Sequence, residues 1–105
     1  MSNFQHISVQ ELKALSQTTQ NMHILDIRDQ QSFMQGHIKH SFHLVDETFQ
    51  DFVNQAEFED ILVIICYRGI SSQRVAQHFV DLGFDTVYSL DGGYQAWAIE
   101  AETSA

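Results

Sequence analysis

The feature that most constrains this chain is the run Ile61-Leu62-Val63-Ile64-Ile65. It ends on Cys66 and passes through the polar stretch Tyr67-Arg68-Gly69-Ile70-Ser71-Ser72 into an amphipathic helical pattern. A continuous apolar run of strand length suits a strand covered on both faces, so it demands packing layers above and below it. A thiol at the carboxyl end of such a strand faces a tight loop and a helix N-terminus, where backbone N–H groups and the helix dipole favour an anion. That setting can bring a cysteine from about 8.5 into the range of about 3.5–7.5, which makes a nucleophile at neutral pH. The competing reading is a buried cysteine acting as a small hydrophobe. A compact loop carrying Gly69, two serines and an arginine is not needed for that, and its presence favours an enzyme.

The rest of the chain alternates strand and helix signals. Phe4 to Ile7 reads as a short first strand, and Ser8-Val9-Gln10-Glu11 as a capping box with Ile7 and Leu12 placed for a hydrophobic staple. Val9, Leu12 and Leu15 form the buried stripe of the helix that follows. His23 to Ile27 is a second strand, and a short helix over Gln30 to Gln35 ends at Gly36. His40 to Leu44 is a brief third strand. Phe49, Phe52, Val53 and Ala56 recur at helical spacing, which predicts a helix over about 47–58. Past the central strand, Val75, Phe79 and Leu82 mark a helix closed by Gly83, with Ser71 or Ser72 as its cap. Thr86 to Leu90 is a fifth strand, and Asp91-Gly92-Gly93 turns into a last helix with Tyr94 and Trp97 on its core side. The order predicts a single α/β domain over 1–100 with a mostly parallel five-stranded sheet and helices on both faces, followed by a short flexible tail over 101–105. Ligands of such sheets bind beyond the carboxyl ends of the strands, where Cys66 falls.

Charge narrows the partners. The 105 residues carry a formal net charge of −9 with only five lysines and arginines. That balance argues against nucleic acid or an anionic membrane as a partner. Arg68 and Arg74 nevertheless follow closely on Cys66, an arrangement suited to attracting a small anion, although either also reads as a solvated charge. No apolar stretch approaches the roughly 20 residues of a membrane helix, and Met1-Ser2-Asn3-Phe4 lacks the regions of a secretory signal. With a single cysteine there is no internal disulfide framework and no Cys-x-x-Cys redox motif, so a reducing cytoplasm is the expected location. His37, His40 and His43 recur every three residues, but no cysteine or carboxylate cluster completes a ligand set, and no metal is expected.

Three segments together resemble the rhodanese family: Asp26-Ile27-Arg28 with Phe33 and Gly36-His37-Ile38; the loop Cys66 to Ser72; and Asp91-Gly92-Gly93-Tyr94-Gln95-Ala96-Trp97. Each segment is weak alone, and their order and spacing across nearly the whole chain make the combination specific. Size, acidity and loop wording look most like the single-domain bacterial thiosulfate sulfurtransferases of that family. The resemblance implies a cysteine that becomes a persulfide. The Cys66 thiolate would attack the sulfane sulfur of thiosulfate, release sulfite and pass the sulfur to a thiophilic acceptor. That acceptor is cyanide in an assay and a thiol or dithiol in the cell, a thioredoxin-like protein among the candidates. This is covalent catalysis in two half-reactions and requires no cofactor.

The loop Tyr67, Arg68, Gly69, Ile70, Ser71 and Ser72 is expected to curl its N–H groups toward the sulfur, and Gly69 allows the dihedrals that such a curl needs. Ser71 and Ser72 either donate hydrogen bonds there or cap the helix. Asp26 and Arg28 are expected to form an ion pair that holds the fold near the site. Many rhodanese-like loops carry arginine at the fifth position after the cysteine; Ser71 stands there here, which implies weaker thiosulfate binding and leaves the physiological donor open. Two other readings compete. A cysteine phosphatase or arsenate reductase would want arginine at the sixth position, where this chain has Ser72. A non-catalytic rhodanese-like sulfur carrier or docking module would not need the intact Cys66 loop.

Overall fold

The apolar run becomes the middle strand of the sheet. In the computed structural model, which describes residues 3–103, the elements are β1 (Gln5–Ile7), α1 (Val9–Thr18), β2 (Met22–Asp26), α2 (Gln30–Gln35), β3 (Phe42–His43), α3 (Asp46–Gln55), β4 (Ile61–Ile65), α4 (Ser71–Leu82), β5 (Thr86–Leu90) and α5 (Gly93–Thr103). The five strands form one sheet in the order β1-β5-β4-β2-β3. All four pairings are parallel.

The double covering expected for β4 follows from its alternation. Leu62 and Ile64 join a buried cluster with Phe52 of α3 and Ala76 and Phe79 of α4. Val63 and Ile65 point the other way, into a cluster with Val9 and Leu12 of α1, against which Tyr94 and Trp97 of α5 pack. Successive strand residues face opposite sides, so five apolar positions in a row serve two cores. Phe79 is the hinge of the first core, meeting Phe52 edge-on with ring centroids 5.8 Å apart and Phe84 likewise at 5.6 Å.

The sequence signals mark the elements closely. Ser8 and Glu11 form the capping box at α1, α2 ends at Gly36, and α4 ends at a left-handed Gly83. β1 starts one residue later than expected, at Gln5, β2 runs one residue earlier, over Met22–Asp26, and further boundaries differ. The third strand keeps only Phe42–His43, because His40 turns the chain with φ 69. The helix anticipated over about 47–58 starts at Asp46 and stops at Gln55; Ala56 is extended, and Phe58 leaves the helix to pack against Phe84. The central strand ends at Ile65, which releases Cys66 into the loop. The tail anticipated over 101–105 begins as helix, since α5 continues to Thr103, and positions 104–105 lie outside the described residues. Among the described residues no helix is long and apolar enough to cross a membrane.

Candidate active site

Cys66 sits where β4 hands over to the loop, with 2% of its surface exposed. Its Sγ accepts the backbone N–H of Gly69 at 3.1 Å and that of Ser72 at 3.3 Å. The Ser72 Oγ lies 3.2 Å away. The segment is therefore cupped around the sulfur, with the first turn of α4 contributing one of the donors.

The cup keeps its shape because the loop carbonyls are taken from outside. At the head of α5 the N–H of Tyr94 donates to the Cys66 carbonyl at 2.8 Å, and that of Gln95 to the Tyr67 carbonyl at 3.1 Å. The Gln73 side-chain amide donates to the Gly69 carbonyl at 2.8 Å. Orphan N–H groups at the start of a helix are thereby satisfied, and the loop's own N–H groups remain free to converge on one point. Two glycines make this approach feasible. Gly69 adopts φ +87, and a Cβ there would lie 2.9 Å from the Gly92 nitrogen and the Leu90 carbonyl oxygen. Gly93 adopts φ +58 directly under the loop.

The electrostatics of the thiol follow from this geometry. Burial pushes the Cys66 thiol up, but hydrogen bonds from the Ser72 hydroxyl, the Ser72 N–H and the N–H groups of Gly69 and Arg68 outweigh it. The thiol ends below its ordinary value. Donors aimed at a sulfur anion of this kind suit a thiolate and equally a persulfide. Above the sulfur is a cavity of about 200 Å³ lined by Cys66, Tyr67, Arg68, Ile70 and Ser71. Tyr67 and Ile70 form its exposed rim, at 49% and 70% exposure. The arrangement can bind a small anion, ionise a thiol and stabilise negative charge on a sulfur attached to it.

The anticipated residues fall into two groups. Cys66, Gly69 and Ser72 meet at the sulfur through the contacts above, while Tyr67, Arg68, Ile70 and Ser71 line the cavity. Arg68 is exposed and also lines a second cleft with Arg28, Tyr94 and Gln95. The helix cap expected at Ser71 or Ser72 is instead Ile70, with no side-chain cap; Ser71 is the first helical residue and the Ser72 donors are spent on sulfur. Asp26 and Arg28 form a buried pair beside the site. Arg28 Nη2 donates to Asp26 Oδ2 at 2.8 Å and to the Gly36 carbonyl at 2.7 Å, and the guanidinium lies 4.0 Å from the Tyr94 ring centroid. Neither residue contacts the Cys66 sulfur among the hydrogen bonds of the described residues. His37 and His43 donate to the carbonyls of Phe33 and Arg28, so their rings are engaged in local structure.

Sequence reasoning missed three contributors. Ser89, fully buried on β5, places its Oγ 2.7 Å from that of Ser72. The Tyr67 hydroxyl donates to Asp29 Oδ1 and accepts the Asp29 N–H, tying the rim to the start of α2. Gln73 props the loop from the first turn of α4. The Gly92-Gly93 pair was visible as a turn signal, though not as the floor of the cup. The sixth position after the cysteine is Ser72, buried against the sulfur, so a phosphatase-type guanidinium clamp has no place there.

Residues 8–100 match the rhodanese-like domain family. A thiosulfate sulfurtransferase GlpE of Vibrio cholerae is 45% identical over 97 residues, covering 92% of this chain and 91% of the relative. The protein of the same name from Shewanella oneidensis is 47% identical over 97 residues, covering 92% and 95%. Among solved structures, a rhodanese-like domain protein from Staphylococcus aureus superposes with a TM-score of 0.77 at 26% identity, over 90% of this chain and 91% of that one. A rhodanese-like domain from Anabaena shares the fold with a TM-score of 0.77 at 23% identity, covering 94% of this chain and 75% of that one.

Proposed function

Because this chain belongs to the rhodanese-like domain family, we propose that it is a thiosulfate sulfurtransferase in which Cys66 carries the sulfur as a persulfide. The observation that supports this most directly is the convergence of the Gly69 and Ser72 N–H groups on Sγ, under a cavity open to a small anion. In the first half-reaction the Cys66 thiolate attacks the outer sulfur of thiosulfate. A new S–S bond forms, the old one breaks, and sulfite departs with the bonding electron pair. In the second, an acceptor thiolate or cyanide attacks the outer sulfur of the persulfide, and the electron pair returns to Sγ. The loop N–H groups stabilise the sulfur anion at each stage, as an oxyanion hole does.

The roles of the surrounding residues belong to the same proposal. Arg68 attracts the sulfonate end of the donor, Ser71 and Ile70 shape the entrance, and Tyr67 holds the rim to α2. The acceptor is a thiol or dithiol, with a thioredoxin-like protein as the cellular candidate; the exposed Tyr67 and Ile70 give such a protein an apolar edge to approach. A relay that depends on a free thiol is suited to a reducing cytoplasm.

The test is intact-mass measurement after thiosulfate treatment. A gain of one sulfur on the protein, removed by cyanide and absent in Cys66→Ala, is the expected result. An unchanged mass together with no cyanolysis of thiosulfate by the wild type overturns the proposal.

A further inference from the structure

The Cys66 sulfur does not end at Ser72. Ser72 Oγ is 3.2 Å from Sγ on one side and 2.7 Å from Ser89 Oγ on the other. Cys66 is 2% exposed and both serines are fully buried. Among the described residues the Ser89 hydroxyl has no hydrogen-bond partner besides Ser72. We propose that Ser89 is a positioning residue: its hydroxyl donates to Ser72 Oγ and so turns the Ser72 proton toward the Cys66 sulfur. This rests on the reading of Cys66 as the nucleophile.

Counting protons along the chain carries the argument. Sulfur, Ser72 oxygen and Ser89 oxygen are joined by two links. With a thiolate there are two hydroxyl protons for the two links, and each finds an acceptor: Ser89 to Ser72, Ser72 to sulfur. With a thiol there are three protons for two links, so one buried S–H or O–H is left without an acceptor. An unmade hydrogen bond in a buried position is unfavourable, so the row of hydroxyls favours the ionised sulfur. A persulfide also has no proton on Sγ and fits the same arrangement. Ser89 thus acts on the sulfur without touching it. Other charged or titratable groups on the neighbouring elements are Tyr67 and Arg68 in the loop, Arg74, His78 and Asp81 on α4, Tyr88 on β5, Asp26 at the end of β2 with Arg28 just after it, and Asp91 and Tyr94 at the head of α5. Among the hydrogen bonds of the described residues none reaches Sγ through a side chain, and Asp26 and Arg28 neutralise each other.

The experiment reads ionisation of Cys66 without any sulfur donor, by the pH dependence of alkylation with iodoacetamide and by thiolate absorbance in the ultraviolet. Its outcome is therefore independent of whether thiosulfate is the substrate. Losing one neutral hydrogen bond corresponds to a rise in midpoint of about half to one pH unit in Ser89→Ala, a rate roughly three- to tenfold lower well below the midpoint. In a Ser72→Ala background the same change is expected to add nothing, because the effect passes through Ser72. Ser89→Thr and Ser89→Val, equal in shape, give a second comparison should the alanine variant not fold; the threonine form should keep the lower midpoint and the valine form lose it. A midpoint unchanged in folded Ser89→Ala, or an equal shift with Ser72 already removed, overturns the proposal.

Discussion

Gly93 lies directly beneath Cys66: a Cβ on Gly93 would fall 2.5 Å from the Cys66 carbonyl oxygen and 2.7 Å from the Arg68 nitrogen. Two distant stretches of chain, the end of β4 and the head of α5, therefore meet backbone to backbone. That contact lets the Tyr94 and Gln95 N–H groups reach the carbonyls of Cys66 and Tyr67.

Gly93→Ala should disturb both stability and the cup. Left-handed backbone in an alanine costs about 1–2 kcal/mol, and a methyl forced against main-chain atoms about 1–3 kcal/mol more. A loss of about 2–5 kcal/mol is expected, read as a lower urea midpoint with unchanged slope. Persulfide formation in the fraction that stays folded should fall as well, since the donors no longer converge. A variant as stable and as reactive as the wild type would remove the argument for backbone contact.

Much of this architecture was legible in the sequence, and what was missed has a common cause. The run Ile61–Ile65 exposed the central strand because its apolar surface repeats along neighbouring residues, and the Ser8–Glu11 box, Gly36 and Gly83 marked helix ends through local chemistry. Cys66 and its loop were legible for the same reason: the donors that surround the sulfur lie within the next six residues. Ser89 was not. A serine inside a strand reads as an outward polar position, and only the packing of α4 on β5 turns it toward Ser72. The Tyr67–Asp29 contact joins residues 38 apart in sequence and leaves no periodic trace. Ser72 was ambiguous because a serine before a helix serves as a cap far more often than as a donor to a thiol.

The ion pair beside the site gives a second prediction. Arg28 is held by Asp26 through its Nε, its Nη2 and its own backbone N–H, and both side chains are buried. Asp26→Ala leaves the guanidinium buried without its carboxylate, and losing one partner of a buried pair costs about 3–5 kcal/mol. Thermal unfolding should show that loss. Because neither residue touches the sulfur, the alkylation rate of Cys66 in the folded fraction should change by much less than stability does. A large drop in reactivity at unchanged stability would reverse the assignment of these residues as structural.

The lowered thiol predicts a dependence of stability on pH. A group that ionises more easily in the folded state than in the unfolded one stabilises the fold once it is ionised in both. That contribution is complete above the unfolded value, about 8.5, and is lost as pH falls through the lowered folded value. The stability difference between wild type and Cys66→Ala should therefore shift in favour of the wild type as pH rises across that window and level off above it. Denaturant titrations of both proteins at several pH values check the sign. A difference that is flat, or that moves the other way, would mean that burial dominates and the thiol is not lowered.

Tyr67 offers a test of how the rim is held. Its hydroxyl and Ser32 together keep the Asp29 carboxyl below the usual carboxylate range, with the Tyr67 hydrogen bond the larger cause. Tyr67→Phe removes that bond and leaves Ser32 in place. The Asp29 carboxyl should then titrate higher, toward its ordinary value but not fully to it, as followed by NMR of the side-chain carbon. The loop loses its tie to α2, so amide exchange at Arg68 and Gly69 should quicken. An Asp29 titration unmoved by the substitution would show that the rim is anchored by something other than this contact.

Arg68 carries the last prediction. It is exposed and lines both the cavity over Cys66 and the neighbouring cleft, in a chain whose net charge of −9 otherwise repels anions. If it draws in the donor's sulfonate, its loss removes binding made before sulfur transfer as well as during it, which raises KM and spares kcat. A charge-assisted hydrogen bond at a partly solvated site is worth about 1.4 kcal/mol, a factor of about ten in KM for thiosulfate. Arg68→Ala should show that rise, and Arg68→Lys a smaller one, because lysine keeps the charge without the planar fork. Added salt should weaken thiosulfate binding to the wild type and affect Arg68→Ala less, since screening acts on the charge that the variant lacks. Equal KM and equal salt response in wild type and Arg68→Ala would place the sulfonate elsewhere, with the loop N–H groups as the only anion-binding element of the cavity.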